Sequence, residues 1–307
     1  MFKSEVRVLA LYVQKNLPAV AKLREEGYDI IEKETGLPIN KQNCLKILIL
    51  NIMPTKIVTE TQLLRLIASS GYSVDITLLH TFSYKSRNTS EEHISKFYHS
   101  FAENEIKNNY FDGLIITGAP VEQLDFTQVV YWQELCGILD WAKTNVTSLY
   151  TICWGAQAAL YYYYNIGKQL LPKKTFGIFK HQIVVHNRMT KGLEKTFFAP
   201  HSRHTEIKES DMRNVEDVQI WADSEEAGLH LLGTKDFKVV CVAGHPEYDR
   251  ETLSMEYFRD VAKGDIIEFP QNYFINNNPS QLPDVFWREN GKKFMSNWLL
   301  FLDENKR

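Results

Sequence analysis

Cysteine is scarce in this sequence, with four in 307 residues, at positions 44, 136, 153 and 241. No two form a Cys-x-x-Cys pair, so neither a structural zinc site nor a thioredoxin-like redox motif is signalled. Charge of one sign is also lacking: 35 basic side chains against 38 acidic ones leave no electrostatic footprint for nucleic acid or an anionic membrane. No segment reaches the length of a membrane-spanning helix. The opening residues, Met1-Phe-Lys-Ser-Glu-Val-Arg-Val, lack the apolar stretch of a signal peptide. A cytoplasmic protein is expected, and a disulfide framework would be out of place in it. Each cysteine must therefore be explained singly.

What is present is core-forming material, 44% hydrophobic and 12% aromatic. Short continuous apolar runs, rather than alternating ones, point to a parallel sheet covered on both faces. The clearest are Leu45 to Met53, Ser73 to Leu79, Gly113 to Thr117, Ser148 to Ile152 and Phe237 to Ala243. Helical patterns lie between them, at Thr55 to Ser69, Phe126 to Thr144, from Trp154 onward, and last near Phe294 to Leu302. The alternation predicts an α/β fold with a doubly wound, mostly parallel sheet. Residues 177–233 read as an irregular insertion or antiparallel extension, and no linker divides the chain, so a single domain over 1–307 is expected.

Tyr150-Thr-Ile-Cys-Trp-Gly-Ala-Gln ends an apolar run with a cysteine and opens a helix with small residues. That is the layout of a nucleophile elbow, with Gly155 and Ala156 permitting the tight turn. A helix N-terminus favours the thiolate, and the Trp154 amide is placed to serve as an oxyanion donor. A cysteine buried as a small hydrophobe would need no such punctuation. Val240-Cys-Val-Ala-Gly-His-Pro-Glu ends a second apolar run with His245 and, two residues on, Glu247. In a parallel sheet both run ends share the carboxyl edge. His245 would accept the thiol proton and Glu247 would fix the imidazole. Cys241 and Cys136 read as core, and Cys44 is unplaced.

An elbow cysteine with a downstream His-Pro-Glu resembles the class I glutamine amidotransferase fold. The chain is most similar to one branch of that superfamily, the homoserine O-succinyltransferase and O-acetyltransferase family. The matching stretches are Leu50-Asn-Ile-Met-Pro-Thr-Lys56, Thr59-Glu-Thr-Gln-Leu-Leu-Arg65, Phe111-Asp-Gly-Leu-Ile-Ile-Thr-Gly-Ala-Pro120, Ala199-Pro-His-Ser-Arg203, Gly244-His-Pro-Glu-Tyr-Asp249 and Phe258-Arg-Asp260. The first 44 residues diverge: the family's Arg-Ala-x-x-Gln-Asp-Ile-Arg-Pro is replaced by Gly36-Leu-Pro-Ile-Asn-Lys-Gln-Asn-Cys44. Its usual Leu-Ser-Gly after the substrate-facing lysine reads Thr175-Phe176-Gly177.

The resemblance implies roles residue by residue. Cys153 is the acylated nucleophile, His245 the base and Glu247 its partner. Lys174, Ser202 and Arg259 line the amino-acid acceptor site; read alone, they would be a solvated lysine, a turn serine and an arginine paired with Asp249 or Glu256. At the position of Glu122, glycine goes with succinyl-CoA and glutamate with acetyl-CoA in the family, so acetyl-CoA is the implied co-substrate, with no further cofactor. The oxyanion would rest on the amides of Trp154 and residue 122. The implied activity is homoserine O-acetyltransfer by a ping-pong route through a cysteine thioester. Serine O-acetyltransfer, homoserine O-succinyltransfer, glutaminase activity and a non-catalytic binding role remain alternatives. Small-molecule substrates are the expected partners, with neither nucleic acid nor membrane, and a homodimer is left open. His181, His186, His201 and His204 fit no standard zinc spacing, so no metal is expected. Tyr161 to Tyr164 covers every face of a helical turn and reads as packing.

Overall fold

The computed structural model describes residues 9–39, 41–86, 88–213 and 215–307. Its first half runs β1 (Leu11–Gln14), α1 (Ala19–Glu25), β2 (Ile30–Lys33), β3 (Leu45–Leu50), α2 (Lys56–Ala68), β4 (Val74–His80), α3 (Glu91–Phe97), β5 (Tyr98–Ser100), α4 (Asn104–Lys107) and β6 (Phe111–Ile116). It continues with α5 (Trp132–Asn145), β7 (Val146–Ile152), α6 (Trp154–Tyr164), β8 (Gln169–Ile183), β9 (Thr196–Glu206) and α7 (Glu209–Met212). The last elements are β10 (Val218–Ser224), β11 (Gly228–Thr234), β12 (Val239–Val242), α8 (Thr252–Ala262) and α9 (Arg288–Asn305).

All twelve strands join one sheet in the order β2-β1-β4-β3-β6-β7-β12-β11-β10-β8-β9, with β5 beside β4. From β2 to β12 every pairing is parallel. From β12 onward the pairings are antiparallel. Successive side chains of a strand point to opposite faces, and the two main cores follow that rule. Ile47, Ile49, Ile115, Tyr150 and Ile152 face α2 and α9, where Leu63, Ile67, Trp298 and Leu302 cover them. Leu48, Leu50, Leu114, Ile116 and Leu149 face α5 and α6, under Leu135, Ile138, Trp154 and Ala158. Covering both faces is why these strands carry no alternation in the sequence.

The structure sharpens three readings of the sequence. Of the two for residues 177–233 the antiparallel extension holds and the irregular insertion does not: β8 to β11 extend the sheet antiparallel, and β8 already begins at Gln169. Its half-exposed start, with Lys173 and Lys174, hid the strand from a search for apolar runs. The helix expected from Phe126 is broken. A single 3-10 turn at Phe126–Gln128 is closed by the Asp125–Gln128 capping box, and α5 starts at Trp132. The divergent N-terminal stretch contributes β1 and β2 to the parallel sheet, in strands of four residues, too short for a period to register. Buried Lys33 pairs with buried Asp75 of β4 and fastens this segment to the sheet.

Candidate active site

β7 and β12 are paired in register, Ile152 against Val242, so the residues that follow leave the carboxyl edge side by side. The Cys153 amide donates to the Val242 carbonyl at 2.7 Å and couples the two exits. Cys153 precedes α6 as its N-cap, at φ 51° and ψ −116°. Such a conformation in a non-glycine residue costs on the order of 1–3 kcal/mol and persists only where the surroundings impose it. Neighbouring glycines make room for the turn. A Cβ on Gly155 would lie 2.7 Å from the Thr117 carbonyl oxygen, so α6 could not start so close to β6 with any other residue. A Cβ on Gly118 would lie 3.3 Å from Cys153 Cβ and 3.7 Å from His245 Cε1. Gly118, in the loop after β6, is thus the backbone lying directly over the cysteine and the histidine.

Cys153, His245 and Glu247 are buried together, and His245 Nδ1 lies 2.7 Å from Glu247 Oε1. Burial alone would push the imidazolium down. Glu247 and Cys153 outweigh it and hold the His245 pKa well above its ordinary value. The turn carrying them is pinned from two sides. The His245 amide donates to the Pro200 carbonyl at 2.8 Å. Asp249 is clasped by Arg65 at 2.5 Å and Arg288 at 3.1 Å. The motif around Arg65 on α2 and the motif ending at Asp249 thus meet in space.

A polar network runs from His245 to the three expected acceptor residues. Tyr248 stacks on His245, and its hydroxyl donates to Glu256 Oε1 at 2.9 Å. Glu256 Oε2 accepts from Ser202 and lies 3.7 Å from Lys174 Nζ. Lys174 also lies 3.5 Å from Asp260, which Arg259 contacts through Nε at 2.7 Å. Lys174 is not a solvated loop charge: it sits in β8, mostly buried, 4.1 Å over the Phe176 ring. Ser202 is a residue of β9, and Arg259 pairs with Asp260 in place of Asp249 or Glu256. Burial would raise the Asp260 pKa, but Arg259, Lys174 and Lys263 bring it below its ordinary value. The sequence pattern gives Tyr248 and Asp260 no role of their own, and Glu256 only that of a candidate partner of Arg259. The i, i+4 spacing of Glu256 and Asp260 on α8 was the available signal.

Glu122 is half-buried in the turn after β6, and its Oε2 accepts from Thr205 Oγ1 at 3.3 Å. Thr205 in turn contacts Gln157 Oε1 at 3.0 Å, one turn into α6 from Cys153. Trp154 is fully buried at the first position of that helix. Tyr161 stacks on Phe126 at 4.5 Å and Tyr163 donates to the Leu139 carbonyl, so this tyrosine run is packing.

Among the described residues the structure gathers His181, His201 and His230, with one ring nitrogen of each within 4.8 Å of the others. His186 and His204 are not part of the group. Of the three, only His201 and His181 are hydrogen-bonded to each other, and Nδ1 of His181 and of His230 has no hydrogen-bond partner among the described residues. Arg203 Nε donates to His201 Nδ1 at 3.5 Å, which leaves the His201 proton on Nε2, 3.0 Å from His181 Nε2. A metal on His201 Nε2 would require that proton on Nδ1, facing the guanidinium. Burial pushes His181 down to about 3, and His201 and His230 lie well below their ordinary value, so all three rings are neutral.

Residues 10–306 match the sequence family described as Homoserine O-succinyltransferase. The homoserine O-acetyltransferase of Clostridium acetobutylicum is 48% identical over 292 residues, covering 95% of this chain and 96% of its own. That of Bacillus cereus strain AH187 is also 48% identical over the same shares. Among solved structures, a glutamine amidotransferase from Thermotoga maritima has a TM-score of 0.56 at 11% identity, covering 86% of this chain and 100% of that one. One from Methylobacillus flagellatus has a TM-score of 0.52 at 10% identity, over 85% and 96%. These two likenesses show the class I glutamine amidotransferase fold. The elbow, the His-Pro-Glu turn and the 48% identity across almost the whole length lead to one assignment: the chain belongs to the homoserine O-succinyltransferase family.

Proposed function

We propose that this protein is a homoserine O-acetyltransferase that moves an acetyl group from acetyl-CoA to the side-chain hydroxyl of L-homoserine through a thioester on Cys153. The observation that carries the reading is Cys153, held by the strained elbow beside the His245–Glu247 pair at 2.7 Å. Glu247 and Cys153 hold the His245 pKa well above its ordinary value, so the imidazole is suited to take the thiol proton and leave a thiolate. The thiolate attacks the acetyl-CoA carbonyl, and the oxyanion is met by backbone amides, those of Trp154 and the loop beginning at Gly118. Collapse expels the coenzyme A thiolate, which takes the proton from His245. One thioester replaces another, so this half-reaction is nearly balanced. Homoserine then enters, His245 takes its hydroxyl proton, and the alkoxide oxygen attacks the acetyl carbon. Cys153 leaves as a thiolate, and the ester product is more stable than the thioester it came from.

The acceptor pocket supports the same reading. Arg259 and Lys174 offer cations for the α-carboxylate, while Glu256 and Asp260 offer anions for the α-ammonium. Glu122 supports acetyl over succinyl, because its carboxylate would fill the space and repel the charge of the longer acyl group. Four free cysteines and no disulfide among the described residues fit a reducing compartment such as the cytoplasm. Incubation with labelled acetyl-CoA and no acceptor should leave one acetyl group on Cys153, released by homoserine as O-acetylhomoserine. No thioester with acetyl-CoA or succinyl-CoA would end the transferase reading. Release by serine in preference to homoserine would change the acceptor.

A further inference from the structure

Arg203 of β9 is buried at 2% exposure and belongs to none of the roles assigned above. Its guanidinium is held by neutral acceptors: His201 Nδ1 at 3.5 Å, the Thr205 carbonyl at 2.8 Å and the Ala227 carbonyl. None is a carboxylate, so the guanidinium is oriented by these three bonds without a direct ion pair among the described residues. Arg203 and Cys153 line the same small cavity, together with Gln157, Glu206, Leu229 and Ala243. The charged or titratable groups facing the guanidinium are Cys153 at the start of α6, Glu206 at the end of β9 and Glu122 in the turn after β6. Its other titratable neighbours are the neutral imidazoles of His181, His201 and His230. A thiolate on Cys153 would be an anion in this buried cavity, and a positive group on the cavity wall would offset it.

We propose that Arg203 is that group: a fixed countercharge that favours the Cys153 thiolate from the wall of the cavity the two residues share. The inference rests on Cys153 being the nucleophile. The guanidinium is suited to the role because it stays charged when buried and its fork is filled by three acceptors that hold it in one orientation. His201, one of those acceptors, is kept neutral by its burial and so does not oppose the charge of Arg203.

The test reads the thiolate directly, through the pH profile of Cys153 alkylation by iodoacetamide. Acetylation of wild-type Cys153 by acetyl-CoA, followed by mass spectrometry, is run in parallel. Failure there strikes the functional reading and not Arg203. In Arg203→Gln the midpoint of the profile should move up by about one pH unit or more, with alkylation at pH 7 slowed about tenfold. Arg203→Lys keeps the charge and should stay within about half a unit of wild type. An unmoved midpoint in folded Arg203→Gln, or equal shifts in both variants, overturns the proposal. Deleting a buried guanidinium endangers the fold, so Glu206→Gln is the second arm. Removing an anion that competes for Arg203 should move the midpoint down, and an unchanged or raised midpoint there also overturns it.

Discussion

Tyr248 stacks on His245 with ring centroids 4.1 Å apart and planes at 16°, while its hydroxyl reaches Glu256 Oε1 at 2.9 Å. One side chain thereby fixes the general base by its face and the acceptor pocket by its tip. The two duties can be separated. Tyr248→Phe keeps the stack and releases Glu256. We expect KM for the amino acid to rise several-fold, by the ~1 kcal/mol of one hydrogen bond, with acetylation of Cys153 by acetyl-CoA unchanged in rate. A slowed acetylation half-reaction would show that the hydroxyl serves the base instead.

Glu247→Gln tests the partner of His245. Its loss should lower kcat/KM by about 100-fold or more, by analogy with removing the orienting carboxylate of other triads. A stability signature accompanies it. The folded-state pKa of His245 is raised above that of the unfolded chain, so its stabilisation is complete below the unfolded value of about 6.5. It is lost as pH rises through the folded-state value. The stability deficit of Glu247→Gln should therefore be larger at pH 6 than at pH 9 in urea unfolding. A deficit constant with pH would mean that Glu247 does not set the His245 charge.

The parallel half of this fold was legible because two-sided burial leaves unbroken apolar runs, as in Leu45 to Leu50 and Val146 to Ile152. The catalytic turn was legible for a different reason. Cys153 follows Ile152 directly and His245 comes three residues after Val242, and parallel pairing of β7 with β12 makes the two ends neighbours. The acceptor network was not legible from pattern. Lys174, Ser202 and Glu256 lie on β8, β9 and α8, and only the antiparallel extension brings them to Tyr248. Arg203 lies within Ala199-Pro-His-Ser-Arg203, and nothing in that stretch signals its burial, which comes with its reach to the carbonyls of Thr205 and distant Ala227.

Lys56, at the start of α2, illustrates a charge retained at a cost. Burial pushes its pKa down to about 8, against the attraction of Glu60, and Nζ donates to the carbonyls of Asn51 and Met53. Above pH 8 the folded state has released this proton while the unfolded chain keeps it to about 10.4. Protonation thus favours the unfolded chain, and stability should rise with pH over that window. Between pH 8 and 10 wild type should gain roughly 1–3 kcal/mol relative to Lys56→Met. Parallel pH profiles for the two proteins would contradict the depressed lysine.

Glu122→Gly addresses the acyl donor. The carboxylate lies half-buried in the turn after β6, 3.3 Å from Thr205 Oγ1, whose one proton it shares with the nearer Gln157 Oε1. Thr205 is itself fastened to Gln157 of α6, which ties the barrier to the helix that presents Cys153. Removing the side chain opens the space it occupied and withdraws one negative charge from the region around Arg203. Both changes favour an acyl group that ends in a carboxylate, whereas acetyl gains nothing from either. Glu122→Gly should therefore lose kcat/KM with acetyl-CoA and acquire measurable turnover with succinyl-CoA, a relative shift of at least about tenfold. Glu122→Gln separates the two causes, since it removes the charge and keeps the volume. If repulsion dominates, the glutamine variant should already accept succinyl-CoA; if space dominates, only the glycine variant should. A wild-type enzyme that prefers succinyl-CoA would reverse the donor assignment while leaving the thioester chemistry of Cys153 in place.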